Sequence, residues 1–165
     1  MVTTVVVGNP RPASRTLAAA HHVARELTGR EPEQVVDLAT LGPALLDWSD
    51  PGVGRLVEEV GASDLVVVAS PTYKGTYTGL LKLFLDRFAG GTGLRGLAVP
   101  LLLGGSPAHS LAAELTLRPV LTELGATVPG RGLYVVDRDH DDPQAYAAWL
   151  ADTRPVVERL LGVRT

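Results

Sequence analysis

Short runs of valine, leucine and alanine recur along the chain, separated by segments in which apolar residues follow a helical spacing. The runs cover Thr3 to Val7, Gln34 to Asp37, Leu65 to Ala69, Leu97 to Leu103 and Gly132 to Val136. Near-continuous apolar runs of this length are typical of strands buried on both faces of a parallel sheet. The pattern therefore predicts five strands in one sheet.

The intervening segments predict helices. From Arg15 to Leu27, apolar side chains recur every three to four residues, and Gly29 is placed to end that helix. The same spacing predicts helices over Gly52 to Val60, Gly79 to Phe88, His109 to Leu124 and, after Pro143, over a final segment interrupted at Pro155. The stretch from Leu38 to Gly54 is less regular, and we predict a long connection there.

The resulting order, βαβαβαβαβα, predicts a single α/β domain over residues 1 to 165. Because crossovers between parallel strands are right-handed, the expected closure is a doubly wound five-stranded parallel sheet. Ligands bind such sheets beyond the carboxyl ends of the strands. Three loops at those ends are candidate binding segments: Gly8 to Thr16, Ser70 to Thr78 and Gly104 to His109.

The predicted helix from Gly79 to Phe88 is unusually apolar. Its large apolar side chains are Leu80, Leu81, Leu83, Phe84, Leu85 and Phe88. At about 100° per residue they cover roughly 200° of the circumference, more than one core-facing stripe needs. We therefore expect a second copy of the chain to cover part of this helix, in a homodimer or homotetramer.

Composition limits the possible chemistry. The chain is 45% hydrophobic and 20% charged, as in packed soluble domains, and its net charge of −3 offers no broad positive field for nucleic acid or an anionic membrane. It has neither an apolar run that could span a bilayer nor the basic start of a signal peptide, so we expect a cytoplasmic protein. With no cysteine, the chain excludes disulfides, thiol nucleophiles and thiolate metal sites, and redox chemistry would need a cofactor.

The first loop, G-N-P-R-P-A-S-R-T, leads from a buried strand into a helix, where free backbone N–H groups favour an anion. Ser14 and Thr16 add hydroxyl groups, and Arg11 and Arg15 add guanidinium groups suited to phosphate oxygens. Neither G-x-G-x-x-G nor G-x-x-x-x-G-K-[ST] is present, which favours a terminal monophosphate over a dinucleotide or a nucleoside triphosphate. The alternative is that Ser14 merely caps the helix.

The other two loops are suited to a planar ligand. In S-P-T-Y-K-G-T-Y-T-G, backbone amides around Lys74 to Thr76 are placed to hydrogen-bond the polar edge of a heterocycle, with Tyr73 or Tyr77 packing nearby. The alternative is a turn whose tyrosines pack on the core. In G-G-S-P-A-H, the glycines allow close backbone approach, and His109 either meets the ligand or faces solvent.

An acidic cluster, D-R-D-H-D-D, surrounds His140, but no second histidine lies at ligand spacing. We therefore assign no metal site. We expect a solvated turn in which Asp142 caps the last helix.

Three segments together resemble a known family: G-N-P-R-P-A-S-R-T, A-S-P-T-Y-K-G-T-Y-T-G-L-L-K, and G-G-S-P-A-H-S-L with the later L-R-P-V-L-T-E-L-G-A. They are similar to the NAD(P)H-dependent FMN reductases of the flavodoxin-like class, especially those serving two-component sulfonate monooxygenases. The similarity runs in order from about Val2 to Tyr134. It implies a strand order 2-1-3-4-5, FMN as cofactor, NADPH or NADH as reductant, and a monooxygenase partner that receives reduced FMN.

By this resemblance, the first loop binds the FMN phosphate, the second cradles the isoalloxazine and the third closes the flavin pocket. The candidate cofactor-binding residues are Asn9, Arg11, Ser14, Arg15, Thr16, Pro71, Thr72, Tyr73, Lys74, Gly75, Thr76, Gly104, Gly105, Ser106 and His109. No catalytic side chain is expected, because hydride transfer between nicotinamide and flavin depends on how the two rings are oriented.

One position departs from the family pattern. In the helix after the third loop, the sulfonate-linked reductases carry an inserted aromatic residue associated with a π-bulge and easy flavin exchange, and Leu115 stands there in this chain. The departure favours a tightly bound flavin or another electron acceptor. Pro119 in the same helix lacks an N–H and should disturb the hydrogen-bond ladder.

Other classes of protein fit parts of the pattern. One is a flavoprotein that reduces a quinone, an azo compound or a metal ion, and another is a flavodoxin-type electron carrier, whose usual Ser/Thr-x-Thr-Gly phosphate loop is missing here. A flavin-free binding domain is a further alternative. The dependence of NADPH and NADH oxidation on added FMN distinguishes these classes.

Overall fold

The computed structural model describes residues 1–162, which form a five-stranded parallel sheet in the order β2-β1-β3-β4-β5. The strands are β1 (Thr3–Val7), β2 (Gln34–Asp37), β3 (Leu65–Pro71), β4 (Leu97–Gly104) and β5 (Leu133–Val136). The predicted fold class and strand order are confirmed. β3 and β4 extend beyond the predicted bounds, so both strands reach into the candidate binding loops.

Helices cover both faces of the sheet. On one face, α1 (Arg15–Thr28) and α5 (Gln144–Leu161) pack on the side chains of Val5, Val67 and their neighbours. On the other face lie α2 (Pro51–Gly61), α3 (Gly79–Leu85) and α4 (Arg118–Glu123). As predicted, α1 ends at Gly29, whose φ of +71° permits its N–H to bond the Arg25 carbonyl.

The connection from Leu38 to Gly54 is more ordered than expected. It contains two short 3₁₀ helices, Leu38–Thr40 and Gly42–Leu46, and α2 begins within it at Pro51. Leu38 and Leu45 are fully buried in the same core cluster as α3.

This connection explains much of the wide apolar surface of α3. Its side chains Leu81, Phe84 and Leu85 are buried within the chain itself, as is Phe88 just beyond its end. The chain itself therefore buries four of the six apolar side chains, and only Leu80 and Leu83 stay half-buried for contact with a second chain. Oligomerisation itself remains a prediction.

The last helix and the helix after the third loop differ from their predictions. α5 continues through Pro155, which is exposed, while Thr153 and Val157 on the inner side are buried. The missing proline N–H lies on the solvent side, and burial of the inner side keeps the helix continuous. The helix predicted from His109 to Leu124 is instead a 3₁₀ turn at Pro107–His109, a π-helical turn at Ala113–Leu117 and then α4.

Within residues 1–162, no helix is both long and apolar enough to cross a membrane. No group of three or more His, Asp or Glu side chains in this part of the chain is arranged to hold a metal ion. Asp142 accepts a hydrogen bond from the N–H of Gln144, the first residue of α5, at 2.9 Å, but Pro143 and not Asp142 is the N-cap of that helix.

Candidate functional site

The three predicted loops meet in one cavity at the carboxyl edge of the sheet. The cavity has a volume of about 570 Å³ and lies beyond β1, β3 and β4. Its lining residues are Asn9, Arg11, Pro12, Ala13, Ser14, Arg15, Pro71, Thr72, Tyr73, Leu103, Gly104, Gly105 and Asp137. The winding of the sheet reverses at this edge, and pockets of roughly 300–1,000 Å³ there typically hold small molecules.

The first loop is held largely by its own side chains. The Asn9 amide donates to Thr16 Oγ1 at 3.0 Å, and its carbonyl oxygen accepts from the Arg11 N–H at 2.9 Å. Thr16 is buried and lies outside the cavity lining. Asn9 and Thr16 therefore shape the loop from within, whatever further contact Asn9 makes with a ligand.

Ser14 has two roles in this loop. Its hydroxyl accepts a hydrogen bond from the Leu17 N–H at 3.3 Å and so caps α1, while the residue also lines the cavity. The cap alternative is therefore confirmed without excluding a ligand contact. The start of α1 directs its positive end and its remaining N–H groups towards the cavity.

The two arginines of the loop differ in their surroundings. Arg15 Nη1 lies 2.5 Å from a carboxylate oxygen of Asp137, which also lines the cavity. The Arg11 side chain is exposed and makes no ion pair within the described residues. Arg11 is thus the guanidinium group available to an anion, whereas Arg15 would first have to leave Asp137.

Asp37, at the end of β2, holds the first loop from the side. Its Oδ2 accepts from the Ala13 N–H at 3.1 Å, and its Oδ1 accepts from the Ala39 N–H at 3.3 Å. Ala13 has a φ of +51°, which is uncommon for a residue with a side chain. Neither Asp37 nor Asp137 was predicted from the sequence, although each acidic residue directly ends a neighbouring strand.

The second loop contains a tight turn. The N–H and C=O groups of Tyr73 and Thr76 bond each other at 2.9 and 3.3 Å, and Lys74 and Gly75 between them have positive φ angles. The turn uses the amides of Tyr73 and Thr76, whereas those of Lys74 and Gly75 make no hydrogen bond within residues 1–162. Among the backbone amides predicted to bond a ligand, from Lys74 to Thr76, those of Lys74 and Gly75 therefore have an N–H free for that bond.

The two tyrosines of this loop have separate places. Tyr73 is 52% exposed and lines the cavity. Tyr77 packs against the core, and this burial raises the pKa of its hydroxyl. Tyr73 alone can therefore contact a ligand in the cavity.

Thr78 ties the first two loops together and was not predicted. It is buried, its hydroxyl donates to the Gly8 carbonyl at 2.6 Å, and it accepts from the Leu81 N–H at 3.1 Å as the cap of α3. Its own N–H donates to Ser70 Oγ at 3.0 Å.

A side chain at Gly8 would collide with Leu81 Cβ at 2.4 Å, so glycine is required where α3 crosses the end of β1.

The third loop lies beside the second. An added Cβ at Gly75 would sit 3.8 Å from the His109 ring, so the predicted residues Gly75 and His109 are neighbours. Neither lines the cavity, and the same is true of Lys74, Thr76 and Ser106. Tyr134 of β5, also missed, donates a hydrogen bond to the Ser106 carbonyl at 2.7 Å.

The π-helical turn that follows the third loop forms even though Leu115 occupies the expected aromatic position. The Arg118 N–H donates to the Ala113 carbonyl, five residues back, and Pro119 cannot donate at all. Glu114 fastens the turn by accepting from the Gly132 N–H at 2.7 Å and from Arg118 Nη1 at 2.8 Å. Leu115 itself is 65% exposed.

Comparison with known proteins gives a consistent picture. The family model described as NADPH-dependent FMN reductase matches residues 1–141. The FMN reductase (NADPH) of Escherichia coli (strain K12) is 30% identical over 147 residues, which is 84% of this chain and 77% of that protein. The NADH-dependent FMN reductase SfnF of Pseudomonas fluorescens (strain Pf0-1) is 33% identical over 148 residues, covering 83% and 76% of the two chains.

Among solved structures, the apo form of the NADH:FMN oxidoreductase EmoB superimposes with a TM-score of 0.82. The two sequences are 29% identical, and the match covers 99% of this chain and 90% of that one.

Proposed function

The chain belongs to the NADPH-dependent FMN reductase family, whose members use FMN with NADPH or NADH, and we propose that FMN and the nicotinamide nucleotide meet in the cavity at the ends of β1, β3 and β4. The observation that carries this proposal is the convergence at one cavity of a helix N-terminus, an arginine and a buried hydroxyl, the last two without a partner within residues 1–162. The groups present fit a ligand with a phosphate at one end and a polar ring edge at the other.

Arg11 and the start of α1 would hold the phosphate. Arg11 has no competing ion pair among the described residues, and Ser14 places the first N–H groups of α1 at the cavity. Asp37 and Asn9 keep the loop in this shape through their own hydrogen bonds to Ala13 and Thr16.

The second loop would hold the ring. The amides of Lys74 and Gly75 lie next to Tyr73, just outside the cavity lining, and would be free to donate to the ring's carbonyl oxygens if the ring extends to them. Tyr73 offers an aromatic surface in the lining itself. Thr72 contributes the buried hydroxyl that has no partner within residues 1–162.

FMN, when bound, supplies the hydride acceptor. The protein's part is to bind and orient the two rings and to exclude water, for which no acidic or basic side chain is needed. Of the charged side chains in the cavity lining, Arg15 pairs with Asp137, and Arg11 makes no ion pair within residues 1–162.

Arg11→Ala tests the phosphate site. Since hydrogen bonds to charged groups contribute about 1.5–3 kcal/mol, we expect FMN to bind about 10- to 100-fold more weakly, with riboflavin affinity nearly unchanged. Fluorescence titration with both flavins measures this difference. Arg55→Ala, an exposed arginine of α2 outside the cavity, serves as the matched control and should behave as the wild type.

The same preparation tests the proposed reaction. NADH and NADPH oxidation should require added FMN and should release reduced FMN to a flavin-dependent monooxygenase. Unchanged FMN affinity in Arg11→Ala would contradict the phosphate site. Oxidation that depends on a quinone or azo compound with flavin retained would favour the alternative of a reductase with tightly bound FMN.

The remaining parts of the prediction are also proposals. A cytoplasmic location and a homodimer or homotetramer are supported by the family resemblance. The relatives include proteins named for NADPH and for NADH, and both nucleotides should therefore be compared.

A further inference from the structure

Ala13 holds a strained backbone conformation at the entrance to α1. Its φ of +51° lies in the left-handed region, where a residue with a side chain is disfavoured by about 5- to 30-fold in population. Ala13 directly precedes Ser14, the cap of α1. Ala13, Ser14 and Arg15 all line the cavity, and the N–H groups of the last two make no hydrogen bond within residues 1–162. The backbone angles of Ala13 therefore determine where these two N–H groups lie.

The first loop has few donors of its own with which to keep this conformation. Its two prolines have no N–H, and the Arg11 N–H bonds the side chain of Asn9 in the same loop. The Ala13 N–H donates to Asp37 Oδ2 at 3.1 Å. Among the hydrogen bonds of residues 9–13 in the described chain, this is the one that reaches a neighbouring strand. The strained residue thus depends on Asp37.

Asp37 is itself fixed in place. It is the last residue of β2, where the sheet pairs it with Val7 at the end of β1. Its other carboxylate oxygen accepts from the Ala39 N–H at 3.3 Å, and the next residue, Leu38, is fully buried. A rigid part of the fold therefore presents this carboxylate to the loop, and the bond that it accepts offsets the strain there.

Asp37 lies outside the cavity lining, and the sign of its charge is unfavourable for an anion nearby. Any contribution that it makes to anion binding must therefore be geometric. We propose that Asp37 is a positioning residue of the phosphate site: it keeps Ala13 in the left-handed conformation and so presents the first N–H groups of α1 to the phosphate. This inference rests on the proposed function, because it takes the phosphate of FMN as the ligand of the loop.

The ratio of FMN affinity to riboflavin affinity tests this role, because only FMN carries the phosphate. In Asp37→Ala we expect the ratio to fall about five- to tenfold, since Ala13 then leaves the left-handed conformation. Removal of the negative charge offsets part of this loss. Titration by flavin fluorescence measures the ratio for the folded protein.

The same substitution in an Ala13→Gly background separates strain from the other effects of Asp37. Glycine adopts a positive φ without strain, so the loop no longer needs to be held. We therefore expect Asp37→Ala to change the ratio by less than about two-fold in this background. Loss of the charge and of the Ala39 contact is the same in both backgrounds and cannot produce the difference.

Asp50→Ala is the matched control. Asp50 caps α2 by accepting from the N–H groups of Gly52 and Val53 at 2.8 and 2.9 Å, and it lies outside the cavity lining. Its replacement should lower stability, as the loss of a cap does, and leave the affinity ratio at the wild-type value. A purely structural role for Asp37 would give the same result in Asp37→Ala.

The outcomes separate this inference from the proposed function. A wild type that binds FMN no better than riboflavin overturns the proposed phosphate site. A wild-type ratio in Asp37→Ala, with the wild type preferring FMN, overturns the role of Asp37 and leaves the phosphate site standing. An equal fall of the ratio with and without Ala13→Gly overturns the role of the strain at Ala13. A fall in Asp50→Ala as large as that in Asp37→Ala would mean that the ratio follows stability, and it would also overturn the inference.

Discussion

Asp137 lies at the rim of the cavity with its carboxylate against Arg15, where the predicted ligand carries a phosphate. The pair is largely exposed, so it stabilises the fold little, but it keeps one guanidinium group away from the anion and adds a negative charge near it. At the scale of single residues, the ion pair therefore leaves Arg15 less available to the proposed phosphate than the sequence indicates.

Replacing Asp137 should strengthen the site. In Asp137→Asn, Arg15 is released and a repelling charge is removed, and we expect FMN to bind about two- to five-fold more tightly, an effect that added salt reduces. Fluorescence titration at two salt concentrations measures it. Asp139→Asn, in the same turn but outside the cavity lining, is the matched control. Weaker binding in Asp137→Asn would contradict the assignment of Arg15 to the phosphate end.

His22 makes folding sensitive to pH. Its ring packs edge-on against Tyr146 at 4.6 Å between centroids, and burial lowers its pKa below the ordinary 6.5, with Arg25 lowering it further and Glu26 opposing the shift. Above the ordinary value His22 is neutral in both the folded and the unfolded chain. As the pH falls through that value, the unfolded chain takes up the proton first, and stability is lost.

His22→Phe keeps the aromatic contact without a titrating group. We expect the free energy of unfolding to fall less between about pH 8 and about pH 5 in this variant than in the wild type. Urea unfolding at a series of pH values measures the difference. Parallel curves for the two proteins would show that His22 does not contribute.

At the scale of elements, the π-helical turn at Ala113–Leu117 is set by its surroundings rather than by an aromatic residue. Pro119 removes a donor from the ladder, and Glu114 ties the turn to the start of β5. The Leu115 side chain faces solvent and does not hold the π turn in place. The departure at Leu115 therefore does not remove the π turn, and the argument for tightly bound flavin from that position is weakened.

Gly132 allows the π turn to lie against β5. A Cβ there would be 2.6 Å from the backbone carbon of Ala113, so Gly132→Ala should destabilise the fold by about 1–3 kcal/mol. Gly54→Ala is the contrasting control, because no atom lies within 4 Å of an added Cβ and alanine favours a helix interior by about 0.5–1 kcal/mol. Urea unfolding of both variants measures the two effects. Equal free energies of unfolding for Gly132→Ala and Gly54→Ala would contradict the close packing of Gly132 against Ala113.

At the scale of the whole molecule, α3 still offers two half-buried apolar side chains, Leu80 and Leu83, for contact with a second copy. Leu83 is left outside the buried cluster formed by Leu81, Phe84 and Leu85. If the predicted oligomer packs through α3, Leu83→Glu should reduce the molar mass measured by light scattering at micromolar concentration, because the charge cannot be buried there. Lys82→Gln, next to it, is the control. A monomeric wild type would contradict the oligomer.

The five strands, the doubly wound sheet and the positions of the three loops were predictable from local periodicity and the handedness of crossovers, and the strand order followed from the family resemblance. The prediction of a phosphate site in the first loop also comes from local sequence, since Arg11 and Ser14 lie within a few residues of each other. Thr78 and Tyr134 were not predictable as parts of the site. Their contacts, with Gly8 and with Ser106, join segments far apart in sequence.

The sequence by itself thus determined the architecture, the edge of the sheet at which a ligand binds and the kind of groups that meet there. Only the tertiary structure decided which of those groups remain available. Asp137 engages Arg15, Asn9 and Thr16 bond each other, and the Thr72 hydroxyl has no partner in the described part of the chain. The reason is that periodicity and residue type act locally, whereas the pairing of polar groups depends on which strand ends the fold brings together.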